Sequence, residues 1–311
     1  MKSKNDYWKK RVALEDDETI QAIEEAVLER GAEIEETPND ELIHITDVAE
    51  QITEAYNSWG KTTGLLTGLP SLDEKIKGMG KGHVILIGGE TSQGKSALAT
   101  NIAVNVAKTK PVLFITLEMQ FEEIGSRIMK INGGTIDGLD MMFQKEHRLT
   151  YKDIKPLIKR AMELGEIEFV VLDYLQYLGR GMNEREVAIM SKEIKTLALE
   201  FNVPFMVIVS LRKSEGGKNK RKWTDIEIED YMGAGAIGYD CDVGLIASRK
   251  DMDGEFDSEH MYVKVLKTRN AAIDYDDRYI KFKWDETRIY EDWTNTPPKS
   301  TEFTNATIAG I

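Results

Sequence analysis

Short unbroken runs of aliphatic and β-branched residues alternate along this chain with stretches whose apolar residues recur every three to four positions. The runs occupy residues 84–87, 112–117, 169–172 and 205–209. Continuous apolar runs of this length predict strands covered on both faces, as in a mostly parallel sheet. Three further runs, at 243–247, 262–266 and 279–282, alternate more strongly and predict an antiparallel edge. Helical spacing fills the gaps between runs, over residues 184–201 and 153–164. The second of these is expected to start at Asp153, because Pro156 fits a helix only in its first turn. Upstream, Asp47 with Glu50 reads as a capping box. It opens an amphipathic helix bearing Val48, Ile52, Ala55, Tyr56 and Trp59.

Three regions follow from the pattern. Residues 1–60 form a helical N-terminal extension with a linker helix, and residues 61–292 form one α/β domain with helices on both faces of its sheet. Residues 293–311, with Pro297, Pro298 and a Ser/Thr-rich remainder, predict a disordered tail. Within the extension, a second helix is expected over 16–29, followed by a charged connector over 31–42.

Composition narrows the function classes without choosing one. Hydrophobic residues make up 41% and charged residues 31% of the 311 positions, which fits a soluble globular protein. No apolar stretch approaches bilayer-spanning length, and the first residues lack an apolar signal core. Together with the single Cys241, this predicts a cytoplasmic protein without membrane contact. The four histidines lack metal-ligand spacing, so zinc is not expected. A net charge of −13 excludes a protein that coats nucleic acid with its whole surface. It leaves room for a local basic patch.

Chemistry concentrates after the first run, in Gly89-Glu90-Thr91-Ser92-Gln93-Gly94-Lys95-Ser96. A loop of the form G-x-x-x-x-G-K-[ST] between a strand and a helix turns successive backbone N–H groups toward a phosphate. Gly89, Thr91, Ser92, Gly94, Lys95 and Ser96 are therefore the expected nucleotide contacts. Lys95 would reach the outer phosphates, and Ser96 would take one position on Mg²⁺. Asp173 directly follows the third run and supplies a second Mg²⁺ ligand. Tyr174 follows it, so the base for water lies elsewhere, and Glu118 after the second run is the candidate, if its strand lies beside those ending at Gly88 and Asp173.

Two loops are basic in an otherwise acidic chain. One carries Arg212, Lys213, Lys218, Lys220, Arg221 and Lys222, and the other carries Arg180 and Arg185. Both are expected to contact a phosphate backbone.

Taken together, the motifs resemble the DnaB-type hexameric replicative helicases, whose core is a RecA-like P-loop fold. Thr67-Gly68-Leu69-Pro70-Ser71-Leu72-Asp73 is similar to the segment that opens that domain. Thr116-Leu117-Glu118-Met119 resembles S-L-E-M, and Leu172-Asp173-Tyr174-Leu175-Gln176 resembles I-D-Y-L-Q. Asn202-Val203-Pro204 matches N-V-P, and Gly235-Ala236-Ile237 with Asp240 and Asp242 resembles G-A-I-x-x-D-x-D. Lys267-Thr268-Arg269-Asn270 resembles K-x-R-N. The resemblance implies ATP and Mg²⁺ as cofactors, single-stranded DNA as substrate, and a hexamer travelling 5′→3′. It implies Glu118 as catalytic base and Arg269 with Lys267 as residues that reach a neighbouring subunit's ATP. Primase and other replisome proteins follow as partners. With about sixty residues ahead of the core, no counterpart of the family's globular N-terminal domain is expected, and primase docking through such a domain does not carry over. The family's γ-phosphate-sensing glutamine falls on Ser210, which offers only a hydroxyl. A filament-forming recombinase and an ATP-switched loader that does not unwind remain as alternatives.

Overall fold

The computed structural model describes residues 45–58, 61–144, 149–173, 175, 184–212, 222–231 and 238–292. The chain divides into two units, Met1–Asn57 and Ser58–Ile311.

In the first unit a 3₁₀ turn over Ile45–Val48 runs straight into helix α1, Ala49–Ser58. Asp47 therefore lies inside a turn rather than at an N-cap, a correction to the sequence reading. Ile52 and Tyr56 of the apolar stripe are exposed. Trp59, the expected helix at 16–29 and the expected tail at 293–311 lie outside the described residues.

The second unit is built on a nine-stranded sheet in the order β3-β2-β4-β5-β1-β6-β7-β8-β9. Its parallel part comprises β1 (Val84–Gly88), β2 (Val112–Thr116), β3 (Met141–Gln144), β4 (Phe169–Asp173), β5 (Phe205–Ile208) and β6 (Val243–Ser248). The antiparallel extension is β7 (His260–Thr268), β8 (Tyr279–Asp285) and β9 (Arg288–Glu291). All seven strands expected from the apolar runs are present. β6 joins the two regimes, parallel to β1 on one side and antiparallel to β7 on the other.

Helices cover both faces, as the unbroken runs require. On one side α3 (Lys95–Ala107) and α4 (Phe121–Ile131) bury Leu98, Ile102, Ile124 and Ile128 against Ile85, Ile87 and Phe114. On the other, α5 (Tyr151–Leu164) and α6 (Glu184–Phe201) bury Ile154, Ile158, Ile194 and Leu197 against Val84, Leu86, Val170 and Leu172. α6 has the bounds expected from its spacing. α5 starts two residues earlier than expected, with Pro156 in its second turn. Thr150 provides the earlier start, donating its N–H and hydroxyl to the Asp153 carboxylate at 2.7 Å. That cap offsets the backbone hydrogen bond that proline removes.

The first helix and the last strand described in this unit meet. Pro70 opens α2 (Pro70–Ile76), and the Glu291 carboxylate of β9 accepts from the Ser71 N–H at 2.8 Å and hydroxyl at 2.6 Å. Among the described residues no helix is long and apolar enough to cross a membrane.

Candidate functional site

In a parallel sheet the loops after the strand carboxyl ends lie on one rim, and the candidate residues gather there. The loop after β1 needs its glycines. Gly89 has φ 157°, and a side chain there would meet the Ala247 carbonyl oxygen at 2.5 Å. Gly94 has φ 87°, and its missing Cβ would lie 2.3 Å from the Met261 methyl. Gly94 caps α3, so the first helical residues are Lys95 and Ser96. Lys95 Nζ donates to the carbonyls of Gly89 at 3.1 Å and Glu90 at 2.9 Å, folding the loop around its own ammonium. Burial lowers the Lys95 pKa, opposed by the charges of Asp173 and Glu118.

Asp173 ends β4 and is fully buried, with neither carboxylate oxygen satisfied by a hydrogen bond. Burial pushes its pKa up to about 6. The nearby Ser96 hydroxyl and Lys95 draw it back part of the way, while Glu118 pushes it further up. A buried carboxylate whose oxygens make no hydrogen bond of good geometry keeps its lone pairs for a cation. With the Ser96 hydroxyl beside it, the donor set is all oxygen, which suits Mg²⁺.

Glu118 follows β2, and the Leu117 N–H donates to the Asp173 carbonyl at 2.7 Å, which keeps the two strand ends that carry Glu118 and Asp173 side by side. One strand neighbour differs from expectation. β2 lies beside β4, but β4 and β5 both stand between it and β1, so the strand ending at Gly88 is three places removed from the strand that Glu118 follows. Ser210 shares the rim, because the preceding Val209 N–H donates to the Ile87 carbonyl at 3.0 Å.

Arg269 and Lys267 are not brought to this rim. β7 runs against β6, so Thr268 pairs with Val243 at the opposite end of the sheet. The Arg269 N–H donates to the Asp242 carbonyl, whereas Gly89 packs on Ala247, five residues further along the same strand. At ~3.3 Å per residue that separation is about 17 Å, beyond the reach of an arginine side chain.

Of the basic residues, Arg212 and Lys222 are described and exposed. Lys213, Lys218, Lys220, Arg221 and Arg180 lie outside the described residues, as does the side chain of Arg185. Both sides of the 213–221 segment are anchored. Leu211 bridges to Tyr231, and the Arg212 N–H donates to the Asp230 carbonyl at 2.8 Å. Downstream, buried Trp223 donates its indole N–H to the Asp251 carbonyl at 2.6 Å and sets its ring edge-on to Tyr279.

Sequence reading missed what secures this region. Lys264, wholly buried in β7, donates to the carbonyls of Thr224 and Ile226 at 2.7 and 2.6 Å and to the Glu227 carboxylate at 3.0 Å. Arg278 reaches the same carboxylate at 3.1 Å. Replacing Lys264 with methionine strands two carbonyls and should cost about 3 kcal/mol of unfolding free energy, read by urea titration. A loss under ~0.5 kcal/mol would contradict this role. Behind the phosphate loop, the Arg249 N–H donates to Gln93 Oε1 at 2.8 Å, and its guanidinium stacks on Trp284 at 4.1 Å. A single lysine or arginine in a strand carries no signal of these partners.

A glycine-bounded strand–loop–helix and two acids on the same rim, on a parallel sheet with an antiparallel extension, define a RecA-like fold. One ATPase domain of known structure matches it with a TM-score of 0.68 at 17% identity, over 80% of this chain and 98% of that one. A DnaB-like replicative helicase, solved for its interactions with primase, matches with a TM-score of 0.65 at 19% identity, over 92% of this chain and 77% of that one. The family model for the DnaB-like helicase C terminal domain matches residues 64–137 and 132–289, and the chain belongs to that family. Replicative DNA helicase DnaC of Bacillus subtilis (strain 168) is 26% identical over 267 residues. The match takes in 75% of this chain and 58% of that relative's length.

Proposed function

We propose that this chain is an ATP-driven DNA helicase motor whose nucleotide sites are each shared by two protomers of a ring. The observation that carries the reading is the division of the site between two ends of the sheet. Lys95, Ser96, Asp173 and Glu118 share one rim, and Arg269 sits about 17 Å away at the other. An arginine that cannot serve its own phosphate loop can serve a neighbour's. Residues 61–292 would be the motor unit, with residues 1–60 ahead of it and 293–311 behind.

The loop backbone and Lys95 would hold the outer phosphates of ATP. Ser96 and Asp173 would hold Mg²⁺, which supplies charge neutralisation on the phosphates. Glu118 would orient and deprotonate the attacking water, and Arg269 with Lys267 would stabilise negative charge developing on the transferred group. Ser210, on the same rim, would meet the outer phosphate through its hydroxyl. Completing each site in trans ties hydrolysis to movement of one protomer against the next. The basic residues from Arg180 to Arg185 and from Arg212 to Lys222 would hold single-stranded DNA by its backbone, without reading sequence. The family supports a hexamer, 5′→3′ travel, contact with primase or other replisome proteins, and a cytoplasmic setting.

Strand displacement on a forked duplex tests the reading against a non-unwinding loader. The expected result is ATP-dependent separation of strands, lost in Lys95→Ala. ATP hydrolysis with the duplex left intact would instead favour the loader.

A further inference from the structure

The D-x-D element at Asp240 and Asp242 has no part in the reading above, yet it is among the most firmly held pieces of the fold. Asp242 is 2% exposed and begins β6's approach to the sheet, where its carboxylate Oδ2 accepts from the Val84 N–H at 2.7 Å and from Lys195 Nζ at 2.7 Å. Lys195 is itself fixed to the Gly82 carbonyl at 2.8 Å. One turn back on α6, the Ser191 hydroxyl donates to Asp240 at 2.9 Å. Two side chains of one helix thus secure both acids.

The remaining oxygen of Asp242 faces outward to Arg269. Its Oδ1 lies 3.2 Å from Arg269 Nε, while the Arg269 N–H donates to the Asp242 carbonyl at 3.1 Å. Lys267 Nζ lies on the same segment, donating to the carbonyls of Gly238 at 3.0 Å and Tyr239 at 3.1 Å. Nε is the root of the guanidinium, and the arginine side chain stays 54% exposed. Contact at the root leaves the fork of terminal N–H groups for an anion outside the protomer.

We propose that Asp242 is the positioning residue for Arg269, holding the guanidinium by Nε so that its terminal nitrogens are presented to a neighbouring protomer's nucleotide. The inference rests on the reading of Arg269 as a group acting in trans. A buried carboxylate anchored by the Val84 N–H and Lys195 removes the rotamer freedom that a long exposed side chain otherwise keeps, so the fork arrives already oriented. Lys267 is held differently, by its ammonium itself on the carbonyls of Gly238 and Tyr239, which leaves one of its three N–H donors for an outside group.

Asp242→Asn should lower kcat for ATP by roughly 10- to 100-fold, with KM changed less than about threefold, because misplacement affects the transition state more than ground-state binding. The loss should be carried by Arg269, so the double variant Asp242→Asn/Arg269→Ala should be no slower than Arg269→Ala alone. Multiplying losses in the double variant would overturn the proposal. In mixed oligomers with Lys95→Ala, Asp242→Asn should behave as Arg269→Ala does, contributing a working phosphate loop and a poor arginine. If Arg269→Ala and Lys95→Ala complement each other, the shared-site reading stands. Should Asp242→Asn then leave the arginine fully effective, only this inference fails. Circular-dichroism melting checks that Asp242→Asn is folded. If it is not, Arg269→Lys decides, since an ammonium cannot be held at its root and still present a fork. Turnover at the Arg269→Ala level supports the proposal, and near-native turnover overturns it.

Discussion

Replacing Arg269 with alanine is expected to slow ATP turnover by about 10³-fold or more while nucleotide binding stays nearly unchanged, because an arginine supplied to the transferring phosphoryl group acts mainly on the transition state. Two features of the fold set that expectation. β7 is antiparallel to β6, which carries Arg269 to the end of the sheet away from Gly89. The ion pair with Asp242 then holds it there. Removing the side chain leaves Lys95, Ser96 and Asp173 untouched, so affinity read by a fluorescent nucleotide should persist. Turnover above about a tenth of the wild-type rate would mean that developing charge is neutralised from within the protomer.

Asp173→Asn is expected to have effects of opposite sign on stability and activity. Its carboxylate is fully buried, and burial raises its pKa from 3.8 to about 6 against the pull of the Ser96 hydroxyl and Lys95. A carboxyl with a folded pKa above its unfolded value binds its proton more tightly in the native state. The ionisation cost is therefore absent below the unfolded value and accumulates as pH rises through the folded one. At pH 7.5 the cost approaches about 3 kcal/mol, and asparagine avoids it. The ligand-free variant should melt several degrees higher at pH 7.5 and match the wild type near pH 4. The same change should abolish Mg²⁺-dependent hydrolysis. A variant less stable than the wild type at pH 7.5 would show that an unrecognised partner satisfies the carboxylate. Asp73, also buried and with its pKa raised to about 6, adds a pH dependence of the same sign to both proteins.

Much of the fold was legible because double coverage leaves a plain trace. β1, β2, β4 and β5 are buried along their whole length and appear as apolar runs, whereas β6, expected at an antiparallel edge, is also buried throughout and pairs parallel to β1. β3 and β9 left none. β3 is a four-residue edge strand with three half-buried positions, and β9 buries only Ile289. Pro156 alone does not set the start of α5, because the Thr150–Asp153 cap carries the helix two residues further back. For the site, the rim residues could be found by motif and strand end. The pairing of Asp242 with Arg269 and of Lys264 with Glu227 could not, since each joins residues distant in sequence that only strand register brings together. Motif resemblance singled out both Asp242 and Arg269, but nothing in it said that one holds the other.

The claim that sites are shared can be tested by mixing two inactive proteins. Arg269→Ala keeps a complete phosphate loop, and Lys95→Ala keeps a complete arginine. In freely mixed oligomers at equal amounts, about one interface in four pairs the two intact halves, so ATPase activity should recover to roughly a quarter of wild type. Mixtures that stay as inactive as either parent, although the subunits demonstrably co-assemble, would contradict the shared site and with it the proposed motor.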